Sequence, residues 1–465
     1  MSDAWPDQVP DDDVDASIVW PHGVWTERVT YADGAAVQPG RLLVAAERAA
    51  DVVDASRADD LGLDLVEEGV VDRLPAVFAV PGDLLDALDA LRRRGLAAQP
   101  NHVLFAQPGG VVSGRPVWSK PVWSKPVWSK PELESVATGG CGCCPPHPSG
   151  SVPDGDPVDG PTSAVVASPV WSKPVWSKGY QASGERPSTA VPTDAAPSAV
   201  PAPAATGRVP SVVVLDTGLA AKRFRPASLA GIGVLGTDLP DESGDGYLDP
   251  VAGHGTFIAG LLRWLAPGAA VVVHRVLSTM GDGDELTIAK RLDLLADVPW
   301  PVDVVNLSFG GYGYDDRMDT LARAVRRLVN RKGCLVVAAA GNDATCRPLY
   351  PAAFPEVVAV AALDGPGAPA AYTNFGPWVD AAAPGTDLVS TFFEGWNGAA
   401  TGSPDPDDLR GAAVWSGTSF AAPVVSALVA RHLLEHGGAV SGAAKAVLSA
   451  SGQRLALLGA QVLLP

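Results

Sequence analysis

Residues 414–425 read V-W-S-G-T-S-F-A-A-P-V-V and place a serine where it could act as a nucleophile. Gly417 and Thr418 predict a turn, and Ser419 follows at the start of an apolar run that predicts a buried helix. The unpaired N–H groups and positive dipole end of such a helix stabilise negative charge that develops beside the serine. A serine here is more commonly only a helix cap, so catalysis needs support from other residues.

Two further stretches supply a carboxylate and an imidazole. Residues 212–218 read V-V-V-L-D-T-G, a β-branched run that predicts a buried parallel strand delivering Asp216 at its carboxyl end. Residues 253–256 read G-H-G-T and lead into an apolar helix, F-I-A-G-L-L. Taken alone, Asp216 could cap a turn and His254 could be a core histidine.

Together these blocks resemble the three signature motifs of the subtilisin-like serine proteases (peptidase S8), in that family's chain order Asp, His, Ser. A fourth block, residues 336–342 (V-V-A-A-A-G-N), resembles the family's strand and loop with the oxyanion-hole asparagine. The resemblance covers about residues 209–434. It implies a triad of Asp216, His254 and Ser419, with Asn342 in the oxyanion hole, and peptide hydrolysis through an acyl-enzyme.

The same resemblance suggests where substrate lies. Residues 306–311 (N-L-S-F-G-G) are similar to the family segment whose backbone pairs with substrate as an added strand, so Ser308, Phe309 and Gly310 are candidate binding residues. Gly341, after two alanines, would line the opposite wall of the first specificity pocket. Small residues there suggest a roomy pocket without fixing a preferred side chain.

The N-terminal part predicts a flexible acidic arm over residues 1–38 and a small α+β domain over residues 39–107. The predicted order of strand, helix, strand, strand, helix, strand is ferredoxin-like. Its ending, Q-P-N-H-V-L-F, resembles the C-terminal tail of the inhibitory prodomains that precede subtilisin-like domains. That resemblance implies a self-inhibited precursor whose tail lies across the cleft; an ordinary small α/β module is the alternative.

A linker rich in Pro, Gly, Ser and Ala is predicted over residues 108–208. It repeats P-V-W-S-K five times, at 116–120, 121–125, 126–130, 169–173 and 174–178. Proline at every fifth position favours an extended, semi-rigid spacer. The alternative is that the exposed Trp and Lys side chains bind a partner or serve as cleavage sites. Either reading leaves residues 209–465 as the catalytic domain.

Composition limits the other partners. The 465-residue chain carries 52 acidic and 34 basic residues, a formal charge of −18, which argues against nucleic acid or an anionic membrane as the main partner. No apolar segment reaches the ~18 residues that crossing a bilayer requires, and the acidic start of the chain does not resemble a secretory signal. Five cysteines are most simply reduced thiols. These observations favour the cytoplasm, although relatives of this family are mostly secreted.

Neither candidate metal site in the sequence is complete. Cys141, Cys143 and Cys144 form a cluster that lacks the second half of a zinc site, so no metal is assigned there. Asp241, Asp245 and Asp249 crowd the loop before the G-H-G-T block and could bind structural calcium, or could form a solvated acidic loop. The proposed chemistry requires no cofactor.

Alternating strands and helices after residue 209 predict an α/β fold, a parallel sheet between helices, preceded by the small ferredoxin-like domain and the linker. The predicted function is a serine endopeptidase acting on proteins or peptides. Its rival is a permanently inhibited, protease-like interaction scaffold that displays the Trp and Lys repeats. Esterase or peptide-ligase activity through the same acyl-enzyme also stays open.

Overall fold

A computed structural model describes residues 30–32, 34–106, 111–112, 115–116, 190–195, 201–202, 208–244, 246–365, 367–398 and 408–464. All of them belong to one compact unit of the chain. Most of the predicted arm, Asp245 and the cysteine cluster lie outside the described residues, as do the five repeats apart from the backbone of Pro116. The structure therefore does not test what the sequence predicts for that part of the arm, the cysteine cluster and the repeats.

The N-terminal domain, residues 34–106, is a ferredoxin-like α+β unit. Its elements, with one short strand before it, are β1 (Thr30–Ala32), β2 (Ala35–Val44), α1 (Ala49–Ala58), β3 (Asp64–Glu67), β4 (Ala76–Ala79), α2 (Leu84–Arg93) and β5 (Ala98–Ala106). The antiparallel strands lie in the order β5-β2-β4-β3. The predicted arrangement is confirmed, but β2 begins at Ala35, inside the stretch predicted as an arm.

The C-terminal domain, residues 208–464, carries the remaining helices. Three two-residue strands precede it: β6 (Val111–Val112), β7 (Arg115–Pro116) and β8 (Val191–Pro192). Its strands and helices are β9 (Ser211–Asp216), β10 (Leu219–Ala220), β11 (Gly233–Leu235), β12 (Thr237–Asp238), α3 (His254–Leu265), β13 (Ala270–Arg275), β14 (Asp282–Asp284), α4 (Glu285–Asp297), β15 (Val304–Leu307), β16 (Phe309–Gly310), α5 (Asp319–Lys332), β17 (Leu335–Ala339), β18 (Val357–Leu363), β19 (Ala381–Pro384), β20 (Leu388–Asn397), β21 (Asp408–Trp415), α6 (Thr418–His436), α7 (Val440–Ser449), β22 (Arg454–Leu455) and β23 (Gly459–Gln461).

A nine-stranded sheet in the order β11-β13-β9-β15-β17-β18-β19-β23-β22 is the centre of this domain, and all its pairings are parallel except the last. Alternate residues of β9 face opposite layers. Val212 and Val214 pack in the core with α3 and α6, whereas Val213 and Leu215 pack with α4 and α5. The predicted parallel sheet between two helix layers is therefore confirmed.

Among the described helices, none combines the length and apolar character that a membrane crossing requires. Cys334 is a free, buried thiol. Cys346 is disulfide-bonded, so the expectation of reduced thiols is wrong for this residue. The cytoplasmic location stays a prediction.

Candidate active site

Asp216 and His254 meet at the carboxyl edge of the sheet. Asp216 is the last residue of β9 and His254 the first of α3, and both side chains are fully buried. His254 Nδ1 and Asp216 Oδ1 are 2.7 Å apart. Because a carboxylate accepts, Nδ1 carries the proton and Nε2 is the basic nitrogen. Nε2 has no hydrogen-bond partner among the described residues.

Ser419 lies in the first turn of α6, one residue after the helix begins. Pro423 has no N–H, so it cannot donate to the Ser419 carbonyl four residues earlier. The Ser308 hydroxyl donates to that carbonyl instead, at 2.7 Å. Asn306 in turn donates to Ser308 Oγ at 2.8 Å and accepts from Ser426 Oγ at 2.9 Å. This buried network ties the first turns of α6 to the end of β15.

The Ser419 hydroxyl donates to the Ser308 carbonyl at 2.9 Å rather than to the imidazole. The His254 Nε2 atom accordingly has no hydrogen bond from this hydroxyl. Hydroxyls rotate about one bond, and catalytic hydrogen bonds commonly form only once substrate is present. Transfer to His254 requires the Ser419 side chain to leave this carbonyl.

Asn342 is held by its amide oxygen. Oδ1 accepts from both the backbone N–H and the hydroxyl of Thr418, each at 3.0 Å. The Asn342 side-chain NH₂ is consequently the donor end of a fixed amide beside Ser419. Gly341 donates its N–H to Thr418 Oγ1 at 3.0 Å, and its φ of +104° suits only glycine. Its role in a pocket wall stays a prediction.

The candidate substrate segment is partly occupied by the chain itself. β16 pairs antiparallel with β5, joining Phe309 to Ala106 and Gly310 to Phe105. β14 pairs with the same strand from its other side. The backbone of Phe309 makes this pairing, and its side chain is fully buried in the core cluster that also contains Leu104 and Ala106 of β5. Ser308 is hydrogen-bonded to Ser419 through both its hydroxyl and its carbonyl.

A model of the subtilase family matches residues 207–454, more than half of the chain. The chain belongs to the subtilase family. It is 34% identical over 229 residues to the thermophilic serine proteinase of Bacillus sp. strain AK1, a match that spans 47% of this chain and 51% of that protein. It is 33% identical over 198 residues to thermitase of Thermoactinomyces vulgaris, spanning 40% of this chain and 67% of thermitase.

The fold of this subtilase is also found in a solved structure. Fervidolysin from Fervidobacterium pennivorans, described as a keratinolytic enzyme related to subtilisin, has a TM-score of 0.57 at 19% identity, covering 94% of this chain and 61% of fervidolysin. At this identity the likeness shows the fold alone. The chain spans about half the length of the Bacillus proteinase.

The tail strand β5 also caps two helices of this subtilase. Asn101 Oδ1 accepts from the Leu286 N–H at 3.1 Å, at the start of α4, and Gln99 Oε1 accepts from the Asp319 N–H at 2.9 Å, at the start of α5. Each side chain therefore gives a hydrogen-bond acceptor to a backbone N–H that has no partner within its helix. His102 and Glu285, both fully buried, are 2.6 Å apart, and Tyr314 donates its N–H to His102 Nε2 at 2.9 Å. Three side chains of the Q-P-N-H segment therefore bind the C-terminal domain.

Two aromatic side chains and a buried carboxyl that no motif indicated surround the imidazole. The ring centres of Trp415 and Phe420 lie 5.5 and 5.1 Å from that of His254. Trp415 and Phe420 both belong to the motif around Ser419, so their closeness to Ser419 in the sequence could have indicated that they lie at the site. Asp238 is fully buried near Asp216 and the start of α3, and burial raises the pKa of its carboxyl well above the usual range. No motif marked it.

The acidic loop before α3 bonds largely to itself. Asp249 Oδ2 accepts from the Glu242 N–H at 2.8 Å and from Thr279 Oγ1 at 2.6 Å. Asp241 accepts from the N–H groups of Gly244 and Gly246, at 2.6 and 2.8 Å. Within the described ranges, no group of three or more His, Cys, Asp or Glu side chains is placed to hold a metal. Structural calcium stays a prediction from the sequence.

Proposed function

We propose that this chain is a serine endopeptidase that hydrolyses peptide bonds through Asp216, His254 and Ser419, and that it is made as a self-inhibited precursor. The observation that carries the proposal is the buried 2.7 Å bond between Asp216 and His254, in a chain of the subtilase family. That bond leaves Nε2 as the base in a site that also contains a serine at a helix start. The Bacillus sp. relative named above is itself described as a serine proteinase.

In the proposed reaction, His254 Nε2 accepts the Ser419 proton as Oγ attacks the scissile carbonyl, and then donates it to the leaving amine. Asp216 keeps the imidazole in the required tautomer and stabilises the imidazolium that forms. The same base then activates water, which releases the acyl group from Ser419. Since the triad side chains are fully buried in the precursor, substrate needs the cleft to open first.

The negative oxygen of the tetrahedral intermediate would bind to the Asn342 side-chain NH₂ and the Ser419 backbone N–H. Asn342 is suited to this because its oxygen is already fixed by Thr418, so little reorganisation accompanies the reaction. The positive end of the α6 dipole lies at the same place and favours the same charge.

Substrate would bind as an extended strand. β14 and β16 present backbone edges to either side of β5, and a peptide that replaces β5 can take over both ladders. Specificity would then depend on the side-chain pockets, while the backbone pairing accepts many sequences.

Self-inhibition is supported by what fills this place in the precursor. β5 is the last strand of the N-terminal domain, and beyond its pairing Ala106 donates its N–H to the Gly281 carbonyl at 2.7 Å. Ion pairs extend the contact: Arg73 bonds to Asp293 at 2.5 Å, a carboxylate that is almost fully buried, and Lys290 to Glu67 at 2.6 Å. Strand pairing and these ion pairs together fix the N-terminal domain against the C-terminal domain, so its tail can stay in the cleft.

The test compares wild type with Ser419→Ala by two measurements, hydrolysis of a fluorogenic peptide library and mass spectrometry of the purified chain. We expect wild type to hydrolyse peptides and to yield fragments cut after the N-terminal domain. The Ser419→Ala chain should stay intact and inactive. A folded wild type whose cleft is open but which neither hydrolyses peptide nor cuts itself would contradict the proposal and would favour the interaction scaffold.

A further inference from the structure

Behind the imidazole, Thr217 and Asp238 form a fully buried pair. The Thr217 hydroxyl donates to Asp238 Oδ2 at 2.6 Å. The same hydroxyl accepts the backbone N–H of Gly255 at 3.0 Å, and Asp238 Oδ2 accepts the N–H of Gly253 at 2.9 Å. The two residues that flank His254 are therefore both bound to this pair.

Thr217 also connects the pair to the carboxylate of the site. Its backbone N–H donates to Asp216 Oδ1 at 2.8 Å, the same oxygen that faces His254 Nδ1. One residue thus bonds to Asp216 through its backbone and to the start of α3 through its hydroxyl. The distance between imidazole and carboxylate follows from these bonds.

The packing leaves little room for another arrangement. A Cβ on Gly255 would collide with the Gly218 carbonyl oxygen, and one on Gly253, whose φ is +84°, would collide with the Phe392 ring. The chain on both sides of His254 is in close contact with neighbouring groups, so small shifts of Asp238 or Thr217 are transmitted to the ring.

We propose that Asp238, acting through Thr217, is a positioning residue that holds His254 against Asp216 in the proposed hydrolysis. This inference rests on the proposed function, because the residues it positions are the proposed base and its carboxylate. Asp238 touches neither substrate nor the reacting atoms.

The protonation state of Asp238 fits such a role. Burial raises its pKa well above the usual range, which favours the neutral form, and the charge of Asp216 acts in the same direction. A neutral carboxyl keeps an acceptor oxygen for Thr217 and Gly253 without adding a second negative charge beside Asp216. An asparagine of the same shape keeps that oxygen, whereas alanine removes it.

The test therefore uses matched pairs of variants. Thr217→Val and Asp238→Ala remove the bonds, and Thr217→Ser and Asp238→Asn restore them. We expect the first two to lower kcat by about tenfold to a hundredfold, since errors of ~1 Å in geometry have that effect, with KM within about twofold of wild type. The conservative variants should recover most of the turnover. Asp380→Asn, directly before β19, serves as the control.

A second readout is independent of hydrolysis. The low-field proton resonance of His254 Nδ1–H, assigned by its loss in Asp216→Ala, should shift or disappear in Thr217→Val and Asp238→Ala and persist in Thr217→Ser and Asp238→Asn. Thermal unfolding checks that each variant is folded. Turnover and resonance that stay at wild-type values in folded Thr217→Val and Asp238→Ala would overturn the inference. An inactive wild type that shows the expected resonance pattern would count against the proposed function alone.

Discussion

At the scale of single residues, the site depends on side chains whose orientation is fixed before substrate arrives. His254 is fixed by the Asp216 oxygen, and Asn342 by two bonds from Thr418 to its amide oxygen. Fixed dipoles stabilise a developing charge without the cost of reorienting. Ser419 differs, because its hydroxyl bonds to the Ser308 carbonyl and must rotate before it can react.

Replacing Asn342 with alanine tests the proposed oxyanion donor. We expect kcat to fall by about a hundredfold to a thousandfold, the loss recorded for the corresponding donor in subtilisin, with KM little changed because the donor acts on the transition state. Steady-state kinetics with a peptide ester measures both constants. Asn330→Ala, at an exposed position of α5, is the matched control. A loss of less than about threefold would show that Asn342 is not the donor.

Asp216 and His254, both named by sequence motifs, meet at one edge of the sheet. Each motif contains both the side chain and the turn that presents it, so a short stretch of sequence was enough to indicate the residue. Asp238 carried no such signal. It stands in an acidic stretch, T-D-L-P-D, and its partner Thr217 is 21 positions away, so only the folded chain reveals the contact. Of the neighbouring acids that resembled a calcium loop, Asp241 and Asp249 instead bond to that loop's own N–H groups.

At the scale of secondary structure, hydrophobic periodicity predicted the type of most elements, and local backbone geometry moved several boundaries. Helix α5 begins only at Asp319, because Asp315 and Asp316 adopt left-handed φ values of +55° and +52° and form a turn. β2 begins earlier than its apolar residues suggested, since pairing with β1 extends it. Pairing partners cannot be read from one segment alone.

His274 on β13 predicts how stability depends on pH. It is buried, neither ring nitrogen has a partner among the described residues, and burial together with Arg291 lowers its pKa from 6.5 to about 3. Between these values the unfolded chain binds a proton that the folded chain does not. Stability is therefore lost as the pH falls from about 6.5 towards 3, by up to ~1.4 kcal/mol per unit from this residue.

The check is chemical denaturation of Ser419→Ala chains at pH 7 and pH 4.5, with and without His274→Leu. We expect the leucine variant to lose less stability on acidification than its parent, because its folded and unfolded forms bind the same number of protons at this position. His436→Leu, at an exposed site, should behave like the parent. Equal losses in His274→Leu and its parent would contradict the expected linkage.

At the scale of the whole molecule, the central feature is the N-terminal domain placing its last strand in the cleft of the C-terminal domain. The tail motif suggested such a strand, but its actual partners are β14 and β16, about 180 and 200 positions further along the chain. The N-L-S-F-G-G segment had suggested the pairing with β16, whereas nothing in the sequence indicated the pairing with β14, because contacts across such separations depend on both domains being folded. Leu104 shows the result: it is fully buried in the cluster that contains Phe309 and Met318.

Leu104→Ala should weaken the proposed self-inhibition. Removing a buried leucine side chain costs about 2–5 kcal/mol, and Leu104 packs in the core of the C-terminal domain, so the cost falls on docking of the tail. We expect the full-length variant to react with a fluorophosphonate about 30-fold faster or more. Leu65→Ala, on an exposed edge strand, should react like wild type. Equal rates for Leu104→Ala and wild type would indicate that the tail does not close the site.

Activation of Ser419 by His254 is tested by mapping where a fluorophosphonate attaches to the full-length Leu104→Ala chain, and how fast, with and without His254→Ala. We expect a single adduct on Ser419 that forms at least about a thousandfold more slowly when the imidazole is absent. An adduct on another residue, or equal labelling of Ser419 in both chains, would contradict the claim that His254 activates this serine.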